Sequence, residues 1–437
     1  MVEPRLPVIR GQIDSDFKQL VKCLTSKSTN GEDVSSLDTV ELLPEPDDRN
    51  ILSAIDPSAV GFQDEWRAEI TGWAPRKPTP INRVRGKRFL VTNGILFAIF
   101  AVLMLWVWQS GYFLIEVPPD KSEWAAKQAG FDDDILSGLT GEGVNVCIVD
   151  TGIDLSNPAF SGISVEFKDM IGTSTTPVDY GYLAHGTLMA GLLIAQSHQI
   201  GMSPNVNLGV VAALGDDGSG QNTANEESVA MAINWCIDEF QADIISLSLG
   251  GTQTDGMSRE GPSVSVTRKA TDMGIYVVAA AGNDGGPDDD GRVSVPSNVP
   301  RAISVGASVR GGGVWDNSSM GKQTTLNGEL RGNPNLKPEI IAPGKSIIST
   351  GIGDTWYSSS GTSDSTVFVT AALALILEDL PMLRPQVDSD GSCVDSVKEA
   401  LRMSTQSGGN LHDSQSGYGE LHAGDWLEEA RKLPACQ

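Results

Sequence analysis

The sequence predicts an α/β fold in three layers, a parallel sheet with helices on both faces, preceded by one transmembrane helix. Three observations carry this. Short apolar runs recur in the C-terminal part, helix-like stretches separate several of them, and one 27-residue segment, Phe89 to Ile115, has no charge.

The uncharged segment exceeds the ~20 residues needed to cross a hydrocarbon core. Arg76, Lys77, Arg83, Arg85, Lys87 and Arg88 precede it, whereas carboxylates outnumber Lys121 and Lys127 after it. The positive-inside rule then puts the N-terminus in the cytoplasm and the C-terminal part outside, with Trp106, Trp108 and Tyr112 at the far interface. A cleaved signal peptide is the rival reading, and it would start near the first residue rather than near position 89. The expected organisation is a polar, partly disordered cytoplasmic tail (1–82), a basic flank and signal anchor (83–116, span about 89–115), and one large domain (117–437).

Within that domain the runs are 144–150, 207–214, 243–249, 275–281 and 302–308. Runs this continuous suit strands buried on both faces. Helical stretches at 186–196, 226–240 and 262–273 fall between several of them, so strand, helix and strand follow one another with right-handed crossovers. In such sheets function collects where strands end.

Charge narrows the partners. Lys and Arg number 31 against 56 Asp and Glu, a net charge of −25, which argues against nucleic acid. Cut after Glu116, the two parts carry −2 and −23. Two explanations stay open, an ordinary solvated surface and adaptation to high salt. The five Cys lack metal-type spacing. Cys147 and Cys236 lie in apolar runs and read as packing, leaving Cys393 with Cys436 as the candidate disulfide.

Four polar residues stand at strand or helix ends. Asp150 ends CIVD before a Gly152 turn; His185 opens the apolar helix AHGTLMAGLLIA; Asn283 follows the buried strand VVAAAG; Ser363 starts a long apolar helix after SSSGT. Each has an ordinary explanation as a strand end, a structural histidine, a turn or a cap. Together they supply an acid, a base, an amide and an alcohol in the order Asp, His, Asn, Ser.

The words in which these residues are set resemble those of the subtilisin-like serine proteases. The resemblance runs through GEGVNVCIVDTGID (141–154), HGT, SLSLGG, AAAGN, KPEIIAPG (337–344), SSGTS and GYGELHA (417–423), about 310 of the 437 residues. It implies a membrane-anchored serine endopeptidase acting on polypeptides. A serine hydroxyl is a poor nucleophile, so His185 would take its proton, Asp150 would hold the imidazole, and Asn283 with the Ser363 N–H would stabilise the oxyanion. By the same resemblance Ser248, Leu249, Gly250 and Gly251 would pair with an extended substrate, with Gly218, Ser219 and Gly220 opposite. Ala279, Ala280, Ala281 and Gly282 would line an open, mainly apolar first pocket. No cofactor is required for the chemistry. A structural calcium is implied, with Asp288, Asp289 and Asp290 as candidate ligands, the alternative being an acidic solvated turn.

Two departures stand out. After Ser363 the chain reads Asp364, Ser365, Thr366, Val367, with Val367 where the family has Pro and with Asp364 as a second carboxylate expected to act on His185. The interval from Ile115 to Asp150 is also too short for a folding-assisting propeptide ahead of the first strand. The rival function is a catalytically silent domain of the same fold, used for binding or assembly at a membrane surface.

Overall fold

The computed structural model describes residues 39–41, 122–196, 201–251, 260–287, 289–325, 328–386, 390–405, 408–409 and 411–435. The expected span at 89–115, the basic flank and most of the tail lie outside them. Among the described residues no helix is long and apolar enough to cross a membrane.

In chain order the strands are β1 (Thr39–Glu41), β2 (Asn145–Asp150), β3 (Glu166–Asp169), β4 (Asn207–Ala212), β5 (Gly215–Asp216), β6 (Asn222–Asn225), β7 (Ile244–Leu247), β8 (Tyr276–Ala280), β9 (Ile303–Ser308), β10 (Ile340–Pro343), β11 (Lys345–Thr350) and β12 (Trp356–Ser360). The helices are α1 (Glu123–Gln128), α2 (His185–Ile194), α3 (Glu226–Asp238), α4 (Pro262–Asp272), α5 (Thr362–Asp379), α6 (Ser392–Met403) and α7 (Ala423–Ala430). Seven strands form one sheet in the order β10-β9-β8-β7-β2-β4-β3, and every neighbouring pair is parallel. The chain builds outward from β2 on one side, then returns to lay β7 through β10 on the other. The order therefore reverses between β2 and β7, and a crevice at the carboxyl ends of those two strands is where such sheets place their chemistry.

Period-two alternation divides the core. On β2, Val146 and Ile148 join the apolar cluster that holds α2, α5, α6 and α7, while Cys147 and Val149 join the cluster on the α3 and α4 face. Burial of each such aliphatic side chain contributes about 1.5–3 kcal/mol, which makes two-sided burial the main support of these short strands. α5 is buried on all sides from Thr362 to Leu377, the pattern of a central helix rather than a surface one.

One expectation about the cysteines is overturned. Cys147 and Cys236 form a disulfide, Cα to Cα 5.8 Å, between β2 and α3. Both residues do lie in apolar surroundings, but α3 packs on the β2 face that carries Cys147, a juxtaposition that the linear spacing of 89 residues does not display. Cys393 is also disulfide-bonded, and its expected partner Cys436 lies outside the described residues.

Two smaller sheets flank the large one. β11 and β12 form an antiparallel hairpin leading into α5. β1, β6 and β5 form an antiparallel sheet in which Thr39 lies opposite Asn225 and Glu41 opposite Thr223.

Candidate active site

Asp150 is the last residue of β2 and His185 the first of α2, and the structure brings them together. The His185 Nδ1 lies 2.9 Å from Asp150 Oδ1 and 3.0 Å from Oδ2, with Asp150 fully buried and His185 6% exposed. Two glycines allow the approach. A Cβ on Gly186 would lie 2.1 Å from the Gly152 carbonyl oxygen, and one on Gly152, where φ is +115°, would lie 2.0 Å from the Val178 oxygen. Just before His185 the backbone of Leu183 and Ala184 is left-handed (φ 55° and 50°), an arrangement that non-glycine residues adopt at a cost and that aims the helix start at Asp150.

Asp179 ties this pair in place, and the sequence reading missed it. Its Oδ1 accepts the Thr151 hydroxyl at 2.7 Å and the Gly181 N–H at 2.8 Å. Its Oδ2 accepts the Thr187 hydroxyl at 2.6 Å and the Thr187 N–H at 2.8 Å. Thr151 Oγ1 in turn accepts the Gly186 N–H at 2.8 Å. One carboxylate thus clamps the residue after Asp150 to the first turn behind His185. Burial pushes the Asp179 pKa up, against the lowering effect of these donors. The local sequence TPVDYG gives only a turn signal; its partners are distant in the chain.

Ser363 sits in the first turn of α5, 3% exposed, and exchanges hydrogen bonds with Ser248 beyond the end of β7. The Ser363 hydroxyl donates to the Ser248 carbonyl at 3.2 Å and the Ser248 hydroxyl donates to the Ser363 carbonyl at 3.0 Å. Asn283 is fixed by the residue next to the serine, its Oδ1 accepting the Thr362 N–H at 2.9 Å and the Thr362 hydroxyl at 3.0 Å. That anchorage turns its amide nitrogen toward Gly361, where a Cβ would lie only 3.2 Å from Nδ2. Asn283 and the N-terminus of α5 therefore adjoin, as an oxyanion site requires.

Asp364 follows Ser363 in the first turn of α5. It is buried and accepts the Ser359 hydroxyl from β12, so its carboxylate is engaged on the hairpin side. Val367, in the place of the usual proline, is buried within α5.

Of the expected substrate segment, Ser248 and Leu249 directly follow the end of β7 outside any strand, and both are buried. Gly251 is a different case, since its N–H and carbonyl both pair with Val295, at 3.0 and 2.9 Å. Gly218, Ser219 and Gly220 form the turn between β5 and β6, and Gly220 faces the Tyr182 ring three residues before His185. Ala279, Ala280, Ala281 and Gly282 are buried at the end of β8, and Gly282 donates to Thr362 Oγ1 at 3.2 Å. The cavity beside Gly251 is not the apolar one that these alanines suggest. Asp284, Ser294, Lys322 and Arg331 line it, and none of these alanines does.

Of the expected calcium ligands, Asp288 lies outside the described residues. Asp289 accepts the Gly291 and Met320 N–H groups and Asp290 accepts the Arg292 N–H, the bonding of a braced acidic turn rather than of a ready cage. Among the described residues one trio of possible metal ligands gathers, Asp133, His422 and Asp425, where the His422 ring caps α7; it shares no residue with this site.

The parallel sheet whose order reverses at β2 and β7 thus carries an Asp–His pair and a helix-start serine at its strand and helix ends. The chain belongs to the subtilase family, peptidase S8, which matches residues 141–419. It is 34% identical over 250 residues to subtilisin J of Geobacillus stearothermophilus, covering 56% of this chain and 58% of that protein. It is 32% identical over 317 residues to the serine protease AprX of Bacillus subtilis, 65% of this chain and 66% of the relative. The chain thus spans a little under three fifths of subtilisin J's length. Among solved structures it resembles a serine-to-alanine mutant of the protease domain of PatA, with a TM-score of 0.54, 22% identity, and coverage of 68% of this chain and 98% of that one. That last likeness bears on the fold alone.

Proposed function

We propose that this protein is a membrane-anchored serine endopeptidase that hydrolyses peptide bonds through Asp150, His185 and Ser363. The observation that carries the reading is the buried Asp150 carboxylate, both of whose oxygens lie within 3.0 Å of the His185 Nδ1. A carboxylate can only accept, so Nδ1 holds the proton and Nε2 presents a lone pair. In the reaction the Ser363 hydroxyl exchanges the Ser248 carbonyl for Nε2 as its acceptor and attacks the substrate carbonyl carbon as the proton moves to His185. The imidazolium then returns the proton to the leaving amine, and water repeats the sequence on the acyl-enzyme. Negative charge growing on the carbonyl oxygen is met by the Asn283 amide and the N-terminus of α5. Ser248, Leu249 and Gly250 offer the substrate an edge strand.

The uncharged segment 89–115 is the proposed anchor, with the catalytic domain outside. The Cys147–Cys236 disulfide supports an oxidising compartment for that domain. A single crossing at 89–115 would put residues 39–41 and 222–225 on opposite sides of the membrane, so the β1–β6 pairing is the observation that counts against it. Protease protection of sealed vesicles tests the topology: the expected result is a digested catalytic domain and a protected tail, and the reverse pattern refutes it. A fluorophosphonate probe tests the chemistry. Labelling that disappears in Ser363→Ala is expected, and absence of labelling at both low and molar salt would instead favour a silent binding domain.

A further inference from the structure

The cavity beside the substrate strand carries information about which side chain the enzyme accepts. Gly251 and Asp284, on its wall, directly follow the site residues Gly250 and Asn283, and the Ser294 N–H donates to the Ala281 carbonyl at 2.6 Å. If the endopeptidase reading holds, this is where the side chain next to the scissile carbonyl enters.

The charges around the cavity are unequally engaged. Asp284 accepts the Ser319 hydroxyl, and Asp290 accepts the Arg292 N–H at 2.8 Å. Arg331 is short of acceptors. Its Nη2 donates to the Asn298 carbonyl at 2.8 Å, while Nε and Nη1 are buried and find no acceptor among the described residues. Glu339, whose charge acts on Arg331, is already engaged: its Oε1 accepts Lys337 Nζ at 2.8 Å and Lys398 Nζ at 2.7 Å, and its Oε2 accepts the Ser304 N–H at 2.8 Å. Lys337 and Lys398 therefore share one buried carboxylate, while Arg292, Lys322 and Arg331 line the cavity with Asp284 and Asp290. Burial pushes the Arg331 pKa down and holds Lys337 well below the usual ammonium range. A buried guanidinium without acceptors is costly, and a bound anion removes that cost.

We infer that the cavity selects a carboxylate side chain, Asp or Glu, at the residue whose carbonyl is attacked, with Arg331 as the specificity-determining group. The inference rests on the endopeptidase reading, and its test separates the two. The full chain is assayed on matched fluorogenic peptides that carry Glu, Gln or Lys at that position. Glu and Gln are isosteric, so their ratio isolates the charge. The expected kcat/KM for Glu exceeds that for Gln by about tenfold or more, the size of effect typical of a hydrogen bond to a charged group. That ratio should fall to about one in Arg331→Met and be partly kept in Arg331→Lys.

Gln or Lys cleaved as well as Glu by the parent chain overturns the inference without needing any variant to fold. A Glu preference that survives in both Arg331 variants also overturns it. Millimolar inorganic phosphate should inhibit hydrolysis competitively in the parent chain and not in Arg331→Met; equal inhibition of both would overturn the assignment of Arg331 as the anion-binding group. Probe labelling of Ser363 without a Glu preference removes only this inference. Loss of both labelling and hydrolysis removes the catalytic reading and the inference with it.

Discussion

Asp179→Asn tests whether the Asp150–His185 pair depends on the clamp beneath it. The four donors on this carboxylate come from Thr151, Gly181 and Thr187, at 2.6 to 2.8 Å. An asparagine keeps one acceptor oxygen, enough for Thr151 and Gly181, but turns an NH2 toward Thr187. The Thr187 hydroxyl can rotate away; its N–H cannot. An orphaned donor costs about 1–3 kcal/mol, and loss of the charge-assisted bonds adds to it, so a destabilisation of about 2–4 kcal/mol is expected in urea unfolding. Thr187 lies two residues beyond His185, so the slack reaches the imidazole, and a misplacement near 1 Å is worth roughly 10²-fold in rate. The assay is peptide hydrolysis with kcat and KM separated, alongside the rate of fluorophosphonate labelling. The clamp predicts that kcat and labelling fall together by about 10²-fold while KM changes little, because the substrate strand does not touch Asp179. Parent-like kcat in a folded Asn variant would refute the reasoning, as would a loss confined to KM.

Other outcomes follow from the same coordinates. Gly186→Ala drives a methyl group into the Gly152 carbonyl, so unfolding should cost about 1–3 kcal/mol less and labelling should slow sharply; unchanged melting and labelling would show that the β2 turn can yield. Replacing Cys147 and Cys236 by Ala opens a loop of separation 89, for which chain entropy sets a loss of about 4.5 kcal/mol, read as a lower urea midpoint under oxidising conditions; an unchanged midpoint would contradict it. His412 is held below its ordinary pKa by burial, against the raising effects of the Pro338 carbonyl, Glu339 and Asp413. Its folded pKa is depressed, so its contribution to stability is present above the unfolded value and is lost as pH falls through 6.5 toward the folded one. His412→Gln should flatten that part of the stability profile, and an unaltered slope between pH 7 and pH 5 contradicts the assignment. Asp364→Asn should leave the acid limb of the pH–rate profile near that of the parent, since Ser359 holds the carboxylate; a shift of the limb toward lower pH would mean that it acts on His185 after all.

Much of the architecture is visible in the residues because two-sided burial leaves continuous apolar runs. Each of the five expected runs contains a strand of the central sheet, and Asp150, His185 and Ser363 stand at the end of β2 and in the first turns of α2 and α5. β3 escapes such a reading because it is an edge strand, Glu166 to Asp169, with polar and half-buried side chains. β10 is only four residues long and sits within the KPEIIAPG words without a helical partner to mark it. What linear order hides is lateral neighbourhood. Cys147 looks like packing until α3 is laid on its face of the sheet, Asp179 looks like a turn until Thr187 arrives from the next helix, and Arg331 has no visible bearing on a pocket whose nearest named residues are alanines at 279–281.

The central claim is that Ser363 is a nucleophile activated by His185. The most direct measurement is the pH dependence of fluorophosphonate labelling of the full chain, with its site located by mass spectrometry. The account predicts a single modified residue, Ser363, labelling that falls as His185 is protonated at acid pH, and loss of the reaction in His185→Ala. Modification elsewhere, or labelling of Ser363 that proceeds equally well without His185, would contradict it.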